Sequence, residues 1–182
     1  MLNIDKKDFP KNKFTDIPTD LITAIKTVYS PAHLNVSNII REAESSDYGA
    51  CRFVISGCHV VFRIAKTTPT KIGQFVTLWK RSAPLNKIAP IDTQDGVDFI
   101  VINVSNNTNN GQFIFNKSLL VSKGIMSSHG KGGKRAIRVY PSWAKPVAND
   151  AIKTQQWQVP YFFSISLDGI TDSARIRKLF GL

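Results

Sequence analysis

The sequence predicts one α/β domain, and three observations carry that expectation. Residues 51–64 alternate like a β-hairpin, residues 97–104 form an almost unbroken apolar run, and stretches with helical spacing lie on both sides of these strands. At 182 residues the chain has enough material for one substantial core and too little for two comfortable ones. Residues 1–18 are therefore expected as a loose arm and residues 19–182 as a single domain.

The arm is polar, contains two prolines and shows no periodicity, with Phe9 and Phe14 as candidate docking residues. From Asp20 onward, Leu21, Ile22, Ile25, Val28 and Tyr29 share a helical face that stops before Pro31. A second short helix is expected from Ser37 through Ile39 and Ile40 to Glu44, followed by a turn at Ser46-Asp47-Tyr48-Gly49. Two strands, 51–55 and 58–64, then flank the two-residue turn Ser56-Gly57. That turn fixes the register: Ile55 faces Cys58, Phe53 faces Val60 and Cys51 faces Phe62. One face is then wholly apolar, while the other carries Arg52, Val54, His59, Val61 and Arg63, which a one-residue slip would drive into the core.

Thr67, Thr68 and Pro69 read as a helix start, a capping hydroxyl followed by proline at the first helical position. The predicted helix runs to about Arg81, with Ile72, Phe75, Val76 and Trp79 as its buried stripe and Lys71, Gln74, Leu78 and Arg81 opposite. Its first turn, beside Lys66 and Lys71, would present free N–H groups to a phosphate, although a capped surface helix with solvated lysines would carry the same residues. The segment from residue 82 to Gly96 reads as irregular. Val97–Val104 should lie in the middle of the sheet, because a strand covered on both faces is apolar on both. The asparagine-rich loop 105–110 leads to a partner strand at 112–115 and a short helix at 117–121.

Residues 129–141, HGKGGKRAIRVYP, combine three glycines with Lys131, Lys134 and Arg135. This is not a nucleotide-binding loop of the Walker type, since no Ser or Thr follows Gly133-Lys134. A strand follows, with Ile137 and Val139 on one side and Ala136, Arg138 and Tyr140 on the other. A helix at 149–158, an edge strand at 162–167 and a last helix at 171–180 complete the chain.

Charge separates the function classes. The net charge is +11, and no Asp or Glu occurs between Asp47 and Asp92 or between Asp98 and Asp150, while each gap holds seven Lys or Arg. A merely solubilising surface intersperses the signs; two long acid-free blocks are better explained by one continuous positive face for an anionic partner. No run of 18 apolar residues occurs, and the lysine- and aspartate-bearing amino end is unlike a signal peptide, so a cytoplasmic protein without a membrane partner is expected. The hairpin register keeps Cys51 and Cys58 apart, and with His33, His59 and His129 they match no zinc spacing.

Five segments resemble the MepB family: YGACRF at 48–53, VFRIAKTTPTKIGQFVTLWKR at 61–81, GQFIF at 111–115, GKGGKRAIRVYPSW at 130–143, and KTQQWQ at 153–158 with Tyr161 beyond it. The resemblance implies a fold like that of restriction endonucleases, a mixed central β-sheet flanked by helices, and nucleic-acid binding as the role. Catalytic relatives of that fold hold Mg²⁺ with an Asp and a Glu-x-Lys on adjacent strands. Here the corresponding tripeptide is Ile64-Ala65-Lys66, with isoleucine in place of the acid.

Two function classes therefore stand, with a third behind them. In the first, a non-catalytic binder of nucleic acid, in the first instance DNA, needs no cofactor or metal. It tracks phosphates along one groove with Arg63, Lys66, Thr67, Lys71, Gln74, Arg81, Lys131, Lys134, Arg135 and Arg138, and the 67–71 corner and the 130–135 loop are neighbours in it. In the second, a Mg²⁺-dependent nuclease uses Glu44, Asp47 or Asp98 with Lys66. The third is a regulator whose basic face meets an acidic protein. Oligomeric state is left open.

Overall fold

The structure, a computed structural model, describes residues 17–82, 86–165 and 172–182. The expected arm up to residue 16, the far end of the expected strand at 162–167 and the first residue of the last helix lie outside the described residues. Helix α1 (Thr19–Ala24) continues into a π-helical turn, Ile25–Tyr29, and the chain then enters strand β1 (Val36–Arg41). This strand replaces the helix expected there. Val36, Ile39 and Ile40 are β-branched, and the strand pairs antiparallel with β2 (Cys51–Ile55) through an irregularity between Ser37 and Ile40, where Asn38 takes φ +52°.

The hairpin of β2 with β3 (Cys58–Ile64) has the expected register, Ile55 to Cys58, Phe53 to Val60 and Cys51 to Phe62. Strands β4 (Lys66–Thr68), β5 (Lys71–Thr77) and β6 (Trp79–Ser82) then occupy the stretch read as a helix. Pro69 and Thr70 are the turn between β4 and β5, so the helix N-terminus and the phosphate cradle drawn on it do not exist. Two features overrule the helical spacing. Gln74, Val76 and Leu78 are buried with the period of a strand, whereas Ile72, the first member of the expected stripe, is 45 % exposed. Gly73 sits at φ +80°, and a Cβ there would fall 2.6 Å from the Tyr140 ring and 2.8 Å from the Val139 carbonyl. The polar Gln74 hides the alternation in the sequence. It is tolerated inside because its Nε2 donates to Thr67 Oγ1 and to the Ser105 carbonyl.

Strand β7 (Lys87–Pro90) pairs with β6, so the segment expected to be irregular is partly a ribbon. Strands β8 (Phe99–Ser105) and β9 (Asn110–Asn116), helix α2 (Lys117–Ser122), strand β10 (Ala136–Val139), helix α3 (Asn149–Gln158), strand β11 (Phe162–Ser164) and helix α4 (Ser173–Leu179) follow.

Six strands form the main sheet in the order β1-β2-β3-β8-β9-β11. β3 and β8 are parallel and the other pairs antiparallel, giving a mixed, mainly β domain with few helices. β8 lies in the interior of this sheet, as its doubly apolar sequence requires. On one side of the sheet, Cys51, Phe53, Val60, Phe62 and Val101 pack with Leu21, Val28 and Tyr29 near the amino end and Ile176 and Phe180 near the carboxyl end. On the other side, Val61, Ile100, Ile102, Phe113 and Phe115 pack with Val76, Leu78, Ile137 and Val139 of a second, three-stranded sheet ordered β10-β5-β4.

Candidate nucleic-acid interface

The second sheet joins what the sequence keeps apart. β4 and β5 come from the first acid-free block and β10 from the second, and β5 pairs with both. Its register sets Lys66, Phe75 and Arg138 side by side across the three strands. Lys66 Nζ lies 4.9 Å from the centroid of the Tyr48 ring, the Arg138 guanidinium 6.0 Å from that of Phe75, and the two rings meet edge to face at 6.2 Å. Cations thus stand among aromatic rings on one rigid surface.

The glycine-rich loop is held in place. His129 and Gly130 both take positive φ, 49° and 75°, and Ser128 and Lys131 exchange backbone hydrogen bonds across them, so this is a tight hairpin turn. Asp92 anchors it. Its carboxylate is buried and accepts from Ser127 Oγ at 2.7 Å, Gln94 N at 3.0 Å and Gly130 N at 2.9 Å, bonds that hold its pKa well below the ordinary carboxylate range. Gly133 closes the arrangement at φ +83°, where a Cβ would lie 2.7 Å from Pro90 Cβ. Lys131, Lys134 and Arg135 are consequently displayed on ordered backbone, and the Arg135 carbonyl accepts from Leu78 N at the end of the sheet.

The ten expected contact residues divide into two groups. Lys66, Thr67, Lys71, Lys131, Lys134 and Arg135 are exposed, and among the described residues none of the five cations in this group pairs with a carboxylate. The others have structural engagements. Arg63 is 1 % exposed, covered by the second sheet, with Nη1 2.6 Å from Glu42 Oε2. Arg52 Nε lies 2.6 Å from the other oxygen of that carboxylate. Burial acts to raise the Glu42 pKa, but the two guanidiniums with their hydrogen bonds outweigh it and leave the group below its usual value. On Arg63 burial wins over Glu42 and lowers the pKa, because the arginine is the more deeply desolvated partner. Gln74 is buried. Arg81 pairs with Glu44 at 3.1 Å. Arg138 donates to Thr68 Oγ1 and the Gly73 carbonyl, each at 3.0 Å, strapping β10 to the β4–β5 hairpin where Gly73 distorts it.

The 67–71 corner and the 130–135 loop are not adjacent, contrary to expectation. Lys71 and the loop lie toward opposite ends of β5, about 20 Å apart for six residues of strand rise, with Thr67 and Lys66 between them opposite Gln74 and Phe75. The alternative catalytic set also separates. Asp98 accepts from His59 N at 2.9 Å at one end of the parallel pair β3–β8, and Ala65 N bonds the Asn103 carbonyl at the other, so Asp98 and Lys66 are again roughly 20 Å apart. Glu44 is engaged by Arg81, Asp47 sits on a short 3-10 turn, and among the described residues no three of His, Cys, Asp and Glu cluster as metal ligands.

Sequence reasoning missed Glu42, Asp92, Tyr48 and Phe75 as parts of this region. Only Asp92 has a local signal, the Asp-x-x-Asp spacing of a capping box with Asp95, whose carboxylate also pairs with Lys80. No described helix is long and apolar enough to cross a membrane.

A family model described as MepB-like matches residues 42–164. A solved structure titled "Crystal Structure of MepB" shares 35 % sequence identity, covers 79 % of this chain and 93 % of its own, and superposes with a TM-score of 0.69. No curated protein sequence matches the chain. With the model spanning more than half of its length, the chain belongs to the MepB-like family.

Proposed function

We propose that the protein binds nucleic acid, DNA in the first instance, without cutting it, through the second sheet and the loop beside it. One observation carries this reading: the two acid-free blocks, far apart in sequence, supply adjacent strands of a single sheet, and the exposed cations of that sheet and the loop beside it have no carboxylate partner among the described residues. Lys66, Lys71, Lys131, Lys134 and Arg135 are the phosphate contacts, and Tyr48 and Phe75 add an aromatic floor between them. Arg63, Gln74, Arg81 and Arg138 hold the scaffold and leave the phosphate-contacting set. The separation of Asp98 from Lys66, with Ile64 where an acid would stand, favours binding over hydrolysis. A parallel β3–β8 pair beside an antiparallel hairpin supports the restriction-endonuclease-like reading of the fold, and an intracellular, cytoplasmic setting suits the ligand.

The test is a titration of fluorescent single- and double-stranded oligonucleotides with free 5′-hydroxyl ends at rising salt. Five phosphate contacts predict a slope of log K against log salt of about −4.5 on duplex. Absence of binding at low ionic strength would transfer the basic face to an acidic protein partner. Mg²⁺-dependent cleavage would restore the nuclease alternative.

A further inference from the structure

A cleft of about 320 Å³ opens beside β10, between the end of α2 and the face of α3. Lys123, Lys134 and Arg138 line it, and among the described residues no carboxylate does. Its back wall is built from α3: the Gln158 side chain accepts from Tyr140 N at 2.8 Å and donates to the Arg138 carbonyl at 3.1 Å, sealing the outer edge of β10. Trp157 forms a side wall, braced from behind by Phe115 at a centroid distance of 5.4 Å, and Lys123 Nζ lies 5.5 Å from the tryptophan centroid. The Lys134 amide bonds the Ile125 carbonyl, which fixes the two lysine-bearing segments to each other at the mouth.

The polar groups of this cleft differ in what remains free. Gln158 is engaged with the strand edge, Thr154 Oγ1 donates to the Asp150 carbonyl, and the Arg138 guanidinium is held by Thr68 and Gly73. The ammonium groups of Lys123 and Lys134 are left to face the space, and no carboxylate among the described residues neutralises them. Two like charges at the mouth of a concave surface focus a field that concentrates anions there. Behind them the lining is apolar and aromatic, from Ile125, Ile137, Tyr140 and Trp157. The volume suits one small molecule and excludes a duplex.

We propose that this cleft binds a nucleoside monophosphate, its phosphate on Lys123 and Lys134 and its flat base against the apolar wall. The ligand is either the free nucleotide or the 5′-terminal nucleotide of a strand lying on the neighbouring sheet. The cleft itself supports the assignment, which therefore does not require strand binding by the sheet to be correct.

Adenosine 5′-monophosphate, adenosine and inorganic phosphate are titrated by calorimetry, and one oligonucleotide is compared with and without a 5′-phosphate. The monophosphate should bind at least about tenfold more tightly than either fragment, and Lys123→Met or Lys134→Met should each weaken it about tenfold, the loss of one charge-assisted contact. If the source is a strand end, the 5′-phosphorylated oligonucleotide should outcompete its hydroxyl form, and Lys123→Met should abolish that difference while leaving the hydroxyl form's affinity in place. Adenosine or phosphate binding as well as the monophosphate would overturn the assignment. So would a Lys123→Met variant indistinguishable from the parent on both probes, or no response to phosphate on either. Failure of the hydroxyl oligonucleotide to bind at all would sink the sheet interface and leave the monophosphate titration standing.

Discussion

Replacing Glu42 by alanine should cost more than any single change on the basic surface, and the reason lies in what it leaves behind. Arg63 is 1 % exposed; apart from Glu42, its Nη1 has the Phe62 carbonyl at 2.9 Å, and among the described residues its Nε has no hydrogen-bond partner. Without the carboxylate, a buried guanidinium keeps one neutral acceptor. Breaking a buried pair in this way costs about 3–5 kcal/mol. Arg52 adds little, since at 34 % exposure it can turn to water. For a chain of this size the loss corresponds to a fall in Tm of roughly 6–20 °C. Urea melts of the parent and Glu42→Ala give the difference directly, and Glu42→Ala with Arg63→Met should recover most of it, because the stranded charge is then gone. A loss below about 1 kcal/mol for Glu42→Ala would refute the argument, since it would mean that Arg63 reaches solvent or another partner.

Acid stability follows from the same group together with Asp92. Both folded-state pKa values lie below the unfolded values, so the unfolded chain binds more protons in acid; their contribution is complete above the unfolded carboxylate range near pH 4 and is lost as pH falls through it toward the folded values. Tm measured from pH 7 to pH 2 should therefore drop through that window, and more shallowly in Asp92→Asn. Gly133→Ala should destabilise by about 1–3 kcal/mol, because φ +83° and the 2.7 Å approach to Pro90 both oppose a Cβ; a neutral result in a thermal melt would contradict the fixed loop. Asp92→Asn should also speed hydrogen exchange at the Gly130 amide, whose acceptor is that carboxylate.

Legibility of the fold tracked how each segment meets solvent. The β2–β3 hairpin was readable to the residue because its turn is short and one face is entirely apolar. The β5 strand was not, since a buried glutamine, held through its Nε2, broke its alternation and a threonine-threonine-proline sequence imitated a helix start. Arg63 reads as a surface cation for a related reason: the second face of β3 is half-polar in sequence, and only the three-stranded sheet above it shows that the face is covered. The acid-free blocks suggest a shared positive face, but charge does not reveal that the first block contributes strands there in place of a helix, or that Lys71 and the loop at 130–135 lie toward opposite ends of β5. Separation of Asp98 from Lys66 was equally invisible, as it depends on the parallel register of β3 with β8.

Under the proposed function, a defined face, and not diffuse net charge, attracts nucleic acid. Lys66 and Lys131 lie on that face, whereas Lys26 is exposed on the π-helical turn, whose Ile25, Val28 and Tyr29 pack on the opposite side of the main sheet. Salt-dependent binding of a 5′-hydroxyl duplex is therefore to be measured for Lys66→Ala, Lys131→Ala and Lys26→Ala. The first two should lower affinity and reduce the magnitude of the salt slope by about one each, with stability changed by no more than about 0.5 kcal/mol, while Lys26→Ala should change neither. Equal weakening by all three would contradict it.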